Sequence, residues 1–402
     1  MKTVSIGNLE PNLYITDHVF LDENYILLSP DTPVSQELTE RLKRWRYSEV
    51  YTLGMPSSEP PAKSAISEAA TGQVVNSGAG GTMDSDIKDK EAQKAAWKFF
   101  TETVEYLADT YKIFQERGDL SLNIATDKVK EIIEELKNNR NYILGIPDEP
   151  MEDTNYLVVN AAKTAILSLA IADFLKLLPY KQIEIGLAAL FHEIGMLRIP
   201  KEMYMNNRKL NDKERKAIIT HPILSYRILK ELNFPQNVCV AVIEHHEYID
   251  GSGYPRKLTG DSISLYGKIV GVASAYCAAT SKRPFREGQD RHSGIMDLLK
   301  EMGKRYDDKI IRALVFTLSI YPIGTYVLMS NGAKALVVKT STEKPKQPTI
   351  RLLINENNAI YQDPPMVQTQ EGDSVTIQRP LNKSEVDELK KRFSGQKFSA
   401  SP

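Results

Sequence analysis

Apolar residues recur at three- and four-residue spacing through the middle of this chain. Trp97, Phe100, Val104, Leu107, Tyr111 and Phe114 share one helical face, with Gly118 placed as a stop. Val129, Ile132, Ile133 and Leu136 repeat the pattern in a second helix. From Asn155 to about Ser319 the period continues, interrupted at Pro200, Pro222, Pro235 and between Gly251 and Pro255. A chain so patterned has to bury helix against helix. With 402 residues, 42% of them apolar, it is long enough to do so and to carry smaller units besides.

The flanks have other periods. Residues 1–55 read as a small α/β unit: short strands at Asn12–Ile15 and Tyr25–Leu28, a helix after Ser35 with Leu38, Leu42 and Trp45 on one face, and a closing strand at Val50–Leu53. Residues 56–91 are largely Pro, Gly, Ser, Ala and Thr, with no aromatic between Tyr51 and Trp97, and read as a flexible linker. A helical connector over 92–149 then leads into the helical domain at 150–325. In the extension, 326–402, the segments Thr325–Met329 and Ala335–Lys339 flank an Asn331-Gly332 turn as a hairpin. Thr349–Ile354 adds a third strand and Ser384–Phe393 a closing helix.

Fifty-one basic against 52 acidic residues leave a net charge of −1, so no global field draws the chain to DNA or to an anionic membrane. Two cysteines, Cys239 and Cys277, are too few for a disulfide framework. Apolar stretches such as Ile185–Phe191 fall far short of a membrane span, and the N-terminus lacks a signal-peptide core. The expectation is a cytoplasmic protein with no membrane span.

Of six histidines, four stand in suggestive settings. His192-Glu193 follows an apolar helix, and His221 lies in Thr220-His221-Pro222 just past a charged one. His245-His246-Glu247 closes a helix directly before Asp250-Gly251-Ser252-Gly253-Tyr254-Pro255. Imidazoles with a carboxylate are the donors a divalent transition metal takes. Adjacent histidines on a helix point about 100° apart, so His245 and His246 can share a site only near a helix end. Lone helical histidines are ordinarily packing or surface residues, which is the reading for His18 and His292.

The run from His245 to Pro255 resembles the signature of the HD-GYP family, bacterial proteins whose active members hydrolyse cyclic di-GMP. Phe191-His192-Glu193-Ile194-Gly195-Met196 is similar to the family's His-Asp-Ile-Gly-Lys box, and Thr220-His221-Pro222 to its next histidine motif. The segment Ser281 to Arg286 is similar to its downstream arginine segment. The resemblance implies a mainly α protein, with an all-helical HD-type metal-phosphohydrolase core between the α/β unit and the β-hairpin extension. It places metal ligands at His192, Glu193, His221, His245 and His246, with His192 and Glu193 in catalysis. It places nucleotide contacts at Gly253, Tyr254, Arg283 and Arg286. Iron or manganese is the implied metal, and diguanylate cyclases or other signalling proteins are implied partners.

Four family positions are replaced. Tyr156 and Asn160 stand where the family has its first carboxylate and histidine, Ser274 where it has a later aspartate, and Met196 where it has the lysine. Fewer ions are therefore expected than in active members. Two metals share the work of generating a nucleophile and stabilising phosphoryl charge. Losing one, together with the lysine, removes several kcal/mol, a rate loss of roughly 10³-fold or more. The reading is of a cyclic di-GMP signalling protein, catalytically impaired and acting by nucleotide binding. An active phosphodiesterase with a reduced metal site and a non-catalytic interaction scaffold are the alternatives.

Overall fold

The computed structural model describes residues 82–147, 155–205, 208, 210–281 and 288–393, together with parts of 2–58. The chain divides into two compact units, 1–81 and 82–402.

In the first unit, strands β1 (Lys2–Ser5), β3 (Val19–Asp22), β4 (Tyr25–Leu28) and β5 (Glu49–Thr52) form an antiparallel sheet in the order β1-β5-β3-β4. A two-residue strand β2 (Tyr14–Ile15) pairs with β6 (Pro56–Ser57). The core is Ile6, Leu9, Ile15, Val19, Val34 and Val50. The strand expected from Asn12 begins only at Tyr14, because Asn12 takes a left-handed backbone (φ 70°) that ladder pairing does not accept. Of the helix expected after Ser35, Gln36 and Thr39 are helical, and Leu38, Leu42 and Trp45 lie outside the described residues.

The expected linker is cut back at both ends. Pro56 and Ser57 are held by β2, and helix α1 (Thr82–Arg117) begins nine residues before the linker's expected end at Glu91. A helix nucleated by its packed part propagates into polar sequence at the cost of one ordered residue per hydrogen bond gained, so composition alone misplaces its start.

Helix α1 and helix α2 (Leu122–Leu144) bury the stripes expected of them: Phe100, Val104, Leu107, Tyr111 and Phe114 from α1, and Val129, Ile132 and Leu136 from α2. Gly118 ends α1 with φ +69°, a conformation that costs glycine nothing. Trp97 departs from the pattern: its neighbour Ala96 takes the buried position, and the tryptophan is 39% exposed.

Helix α3 (Tyr156–Phe174) is the centre of the second unit. It packs on α2, on α4 (Pro179–Phe191) and on α9 (Leu265–Thr280), and its alanines 161, 162, 165, 170 and 172 let those neighbours approach closely. By length and composition this helix could cross a membrane, contrary to the expectation from contiguous apolar runs; 78% of its apolar window is buried in the fold. Asn160 and Lys163 break the run, yet the average over five turns stays apolar. A helix apolar all round is a core helix when other helices surround it.

Around it lie α5 (Lys201–Tyr204), α6 (Asp212–Ile218), α7 (His221–Glu231), α8 (Gln236–Glu244), α10 (Arg291–Lys300) and α11 (Asp308–Leu318). The prolines start helices as much as they interrupt them. Pro200 and Pro235 cap α5 and α8, and Pro222 sits in the first turn of α7, where its missing N–H costs no bond.

The C-terminal extension is larger than a hairpin. Strands β7 (Tyr326–Met329), β8 (Lys334–Lys339) and β9 (Thr349–Ile354) lie where expected, and β10 (Met366–Gln368) and β11 (Ile377–Pro380) complete a five-stranded antiparallel sheet ordered β10-β9-β8-β7-β11. Met366, Val367 and Gln368 are all exposed, so β10 has no alternation to read. Helix α12 (Lys383–Phe393) lays Leu389 and Phe393 among Tyr326, Leu336, Leu353 and Leu381. The protein is mainly α, as the helical period requires.

Candidate metal centre

Three helix carboxyl ends each present a histidine. His192 directly follows α4, His221 opens α7 three residues after α6 ends, and His245 directly follows α8. The last carbonyls of a helix have no intrahelical partner. Here they take the histidines: Nδ1 of His192 lies 2.7 Å from the Ala189 carbonyl, Nδ1 of His221 2.8 Å from Ile218, and Nδ1 of His245 2.6 Å from Val242. A carbonyl only accepts, so each Nδ1 carries the proton and each Nε2 is left with a lone pair. Helix carboxyl ends also favour a nearby cation.

Those lone pairs converge. Donor atoms of Glu193, His221, His245 and His246 lie within 4.8 Å of one another. His221 Nε2 and His245 Nε2 are 3.2 Å apart, and a Glu193 oxygen is 3.4 Å from His221 Nε2. With both Nδ1 atoms protonated, no neutral form supplies a hydrogen between the two Nε2 atoms. Burial, and then the neighbouring imidazoles His246, His192 and His221, hold His245 well below the ordinary histidine pKa, so an extra proton is disfavoured there. A metal ion removes the conflict. Two nitrogens on one tetrahedral ion at about 2.05 Å sit about 3.3 Å apart, so the donor set fits a divalent transition metal.

His192 stands beside this group and is not one of the four. Its ring meets His245 edge-on at 4.9 Å between centroids, and its Nε2, buried without a hydrogen-bond partner, is 3.9 Å from a Glu193 oxygen. Burial above all lowers its pKa, against the pull of Glu193. Ser225, which the sequence reading did not single out, ties the segment down. Its hydroxyl accepts from the Gly195 N–H at 2.8 Å and donates to the His192 carbonyl at 2.9 Å, joining the turn that carries His192 and Glu193 to the helix that His221 opens.

The glycine-rich loop is shaped by two buried carboxylates. Glu247 accepts from the N–H groups of Arg256 and Leu258, and Glu244 accepts from the Ser264 N–H and pairs with the Arg256 guanidinium. Asp250 accepts from the Ser252 N–H and hydroxyl. Through these bonds Glu247 and Asp250 cap the turns of the loop. A Cβ on Gly253 would strike the backbone of His246 to Tyr248. That close approach stacks Tyr254 on His246, with centroids 4.7 Å apart and planes 27° apart.

A cavity of about 410 Å³ opens from the four donors, a size suited to a small ligand. Tyr156, Tyr204, Tyr248, Tyr254 and Tyr306 line it, with Arg208. The positions that the resemblance marks as replaced are here too. Tyr156, Met196 and Ser274 face the cavity, and Met196 packs with Leu157, Ile199 and Tyr204. Asn160 is buried on α3, its Oδ1 without a hydrogen-bond partner. Arg283 and Arg286 lie outside the described residues, as does His18. His292 is a packing residue, its Nδ1 on the Ile320 carbonyl and its ring stacked on Tyr321.

Residues 148–310 match the HD domain family, and residues 326–389 match a KOW domain associated with HD domains. The chain is 29% identical over 246 residues to the cyclic di-GMP phosphodiesterase PdeB of Borreliella burgdorferi, a stretch covering 61% of this chain and 65% of that one. It is 26% identical over 368 residues to a cyclic di-GMP phosphodiesterase of Pseudomonas aeruginosa, covering 90% of this chain and 87% of the relative. An HDGYP protein from Bdellovibrio bacteriovorus aligns with a TM-score of 0.41 at 18% identity, over 78% of this chain and 97% of that one. Residues 148–310 are thus an HD domain by family match, and the signature from His245 to Pro255, with the two curated phosphodiesterase relatives, makes the chain similar to proteins of the HD-GYP family.

Proposed function

We propose that this protein binds cyclic di-GMP, or a related cyclic dinucleotide, beside a single transition-metal centre made by Glu193, His221, His245 and His246, and that its hydrolysis is slow. The observation that carries the reading is the asymmetry of the cavity. Imidazole and carboxylate donors crowd one end, while Tyr156, Met196 and Ser274, which the resemblance sets at positions of further charged groups, bring no carboxylate, imidazole or ammonium to the rest of the lining.

A divalent ion at that end, iron or manganese by resemblance, supplies Lewis acidity toward a phosphoryl oxygen and water. The chain's own residues do the rest. Helix-end carbonyls fix the imidazole tautomers, and Glu193 sets one oxygen 3.4 Å from His221 Nε2 and the other 3.9 Å from His192 Nε2. Tyr254, half-buried and stacked on His246, offers its ring to a nucleobase, and the other tyrosines add aromatic surface to the cavity wall. Among the described lining residues Arg208 is the cation present, so phosphate charge falls mostly to the ion.

The test is anaerobic incubation of the protein with Fe²⁺ or Mn²⁺ and cyclic di-GMP, with chromatography of the products and calorimetry of binding. Saturable binding with turnover roughly 10³-fold below a known active enzyme is expected. Turnover matching that enzyme, and abolished in His245→Ala/His246→Ala, overturns the impairment and favours a full phosphodiesterase. That is the reading suggested by the Pseudomonas relative, whose match covers 87% of its length. Binding unchanged in the double-histidine variant overturns the assignment of the site.

A further inference from the structure

A second cavity, of about 370 Å³, lies between the α1–α2 pair and the C-terminal sheet, and it shares no lining residue with the cavity at the histidines. Its floor is apolar, with Ile146, Ile323, Leu336 and Val337 contributed by three parts of the chain. Trp97 and Tyr142 bring aromatic surface to it. The Trp97 residue is 39% exposed and its ring lies beside Phe100 with centroids 6.0 Å apart, so indole surface is presented at the cavity.

Charge at this cavity has one sign. Lys90 and Lys94 stand one turn apart on α1, Lys339 ends β8 and Arg351 lies on β9, and the described lining includes no carboxylate. Among the described residues Lys90, Lys94 and Lys339 make no ion pair with an acidic side chain. Cations dispersed over a surface are ordinary. Four that meet at a pocket with indole surface are a recognition pattern, because a π-face takes an aromatic ring and ammonium groups take phosphate.

We propose that this cavity binds a nucleoside phosphate, its base stacked on Trp97 and its phosphates on Lys94 and Lys339. The site joins the helical connector to the sheet beyond the HD domain, so occupancy would tie those two elements together. Pockets at the junction of two substructures are a usual place for such ligands.

The test uses the full chain with EDTA present, which disables binding that depends on metal at the histidines. GTP and ATP are the probes, with guanosine and inorganic tripolyphosphate as partial ligands. Indole fluorescence in a Trp45→Phe background reports on Trp97, the chain's other tryptophan, and calorimetry gives stoichiometry. The expected result is saturable 1:1 binding of at least one nucleotide, tighter than either partial ligand. It weakens at least tenfold in Trp97→Ala and in Lys94→Glu/Lys339→Glu, and persists in His245→Ala/His246→Ala. Both lysines are exposed, so the charge-reversal variant is expected to melt with the parent. Absence of saturable binding, or binding insensitive to the lysine changes, overturns the proposal. Binding lost only in the double-histidine variant assigns the nucleotide to the first cavity instead and also overturns it.

Discussion

His221 and His245 face each other with their Nε2 atoms 3.2 Å apart, and each has its Nδ1 proton committed to a carbonyl at the end of a helix. Folding thus brings two lone pairs together in a buried place, an arrangement that an ion stabilises and an empty pocket does not. Ion binding is in turn folding free energy, because the unfolded chain offers no such site.

Metal removal should therefore destabilise the protein. At free metal a thousand times its dissociation constant the ion contributes about 4 kcal/mol. Chelation is expected to lower the melting temperature by several degrees, and His221→Ala to abolish the difference between metal-loaded and stripped protein. Scanning fluorimetry with elemental analysis checks both. Equal melting of loaded and stripped wild-type protein would count against the centre.

Ser225→Ala leaves the buried Gly195 N–H and His192 carbonyl without their partner. A buried polar group stripped of its bond costs about 1–3 kcal/mol. Because those groups flank Glu193, metal affinity should fall more than stability alone explains. Denaturant melts of metal-free protein, set beside metal titrations, separate the two effects.

At Tyr254 the ring and the hydroxyl can be told apart. Tyr254→Phe keeps the stack on His246 and should hold cyclic di-GMP affinity within about threefold. Tyr254→Ala removes a platform of the kind that contributes about 1–3 kcal/mol per base and should weaken binding about tenfold or more. Gly253→Ala, which forces apart the backbone it touches, should destabilise the fold by about 1–3 kcal/mol and lose binding together with stability. Calorimetry and denaturant melts give both quantities.

Glu214 supplies the pH dependence. Two hydrogen bonds from Arg208 and one from the Asn211 N–H hold its carboxyl down at about 2, against an ordinary 4.5. A depressed carboxyl stabilises the fold fully above its unfolded value and loses that contribution as pH falls through the folded one. The N-terminal turn of α6 should therefore open between about pH 4.5 and pH 2. Hydrogen exchange over residues 212–218 should be faster in Glu214→Gln than in wild type at pH 6, with the difference gone near pH 2.

Much of this was legible in one dimension. Helical period placed the core stripes of α1 and α2, Asn331-Gly332 marked the hairpin, and the glycine-rich run after His245 and His246 marked a helix end at which both rings could turn one way. These are local properties, set by side-chain spacing and backbone preference within a few residues. The ends of the linker escaped because helix propagation and the pairing of Pro56–Ser57 depend on partners distant in sequence. Strand β10 escaped because its exposed residues have no alternation.

The site divides along the same line. The sequence by itself determined which donors exist, that three histidines stand at helix ends, and that Tyr156, Asn160, Met196 and Ser274 offer neither imidazole nor carboxylate. Only the tertiary structure decided that four donors meet within 4.8 Å with His192 Nε2 buried 3.9 Å from a Glu193 oxygen, that Ser225 joins two ligand-bearing segments, and that Met196 packs among Leu157, Ile199 and Tyr204. Spacing along a chain fixes direction within one helix, whereas convergence depends on how several helices pack, and that is set by the whole buried interior at once.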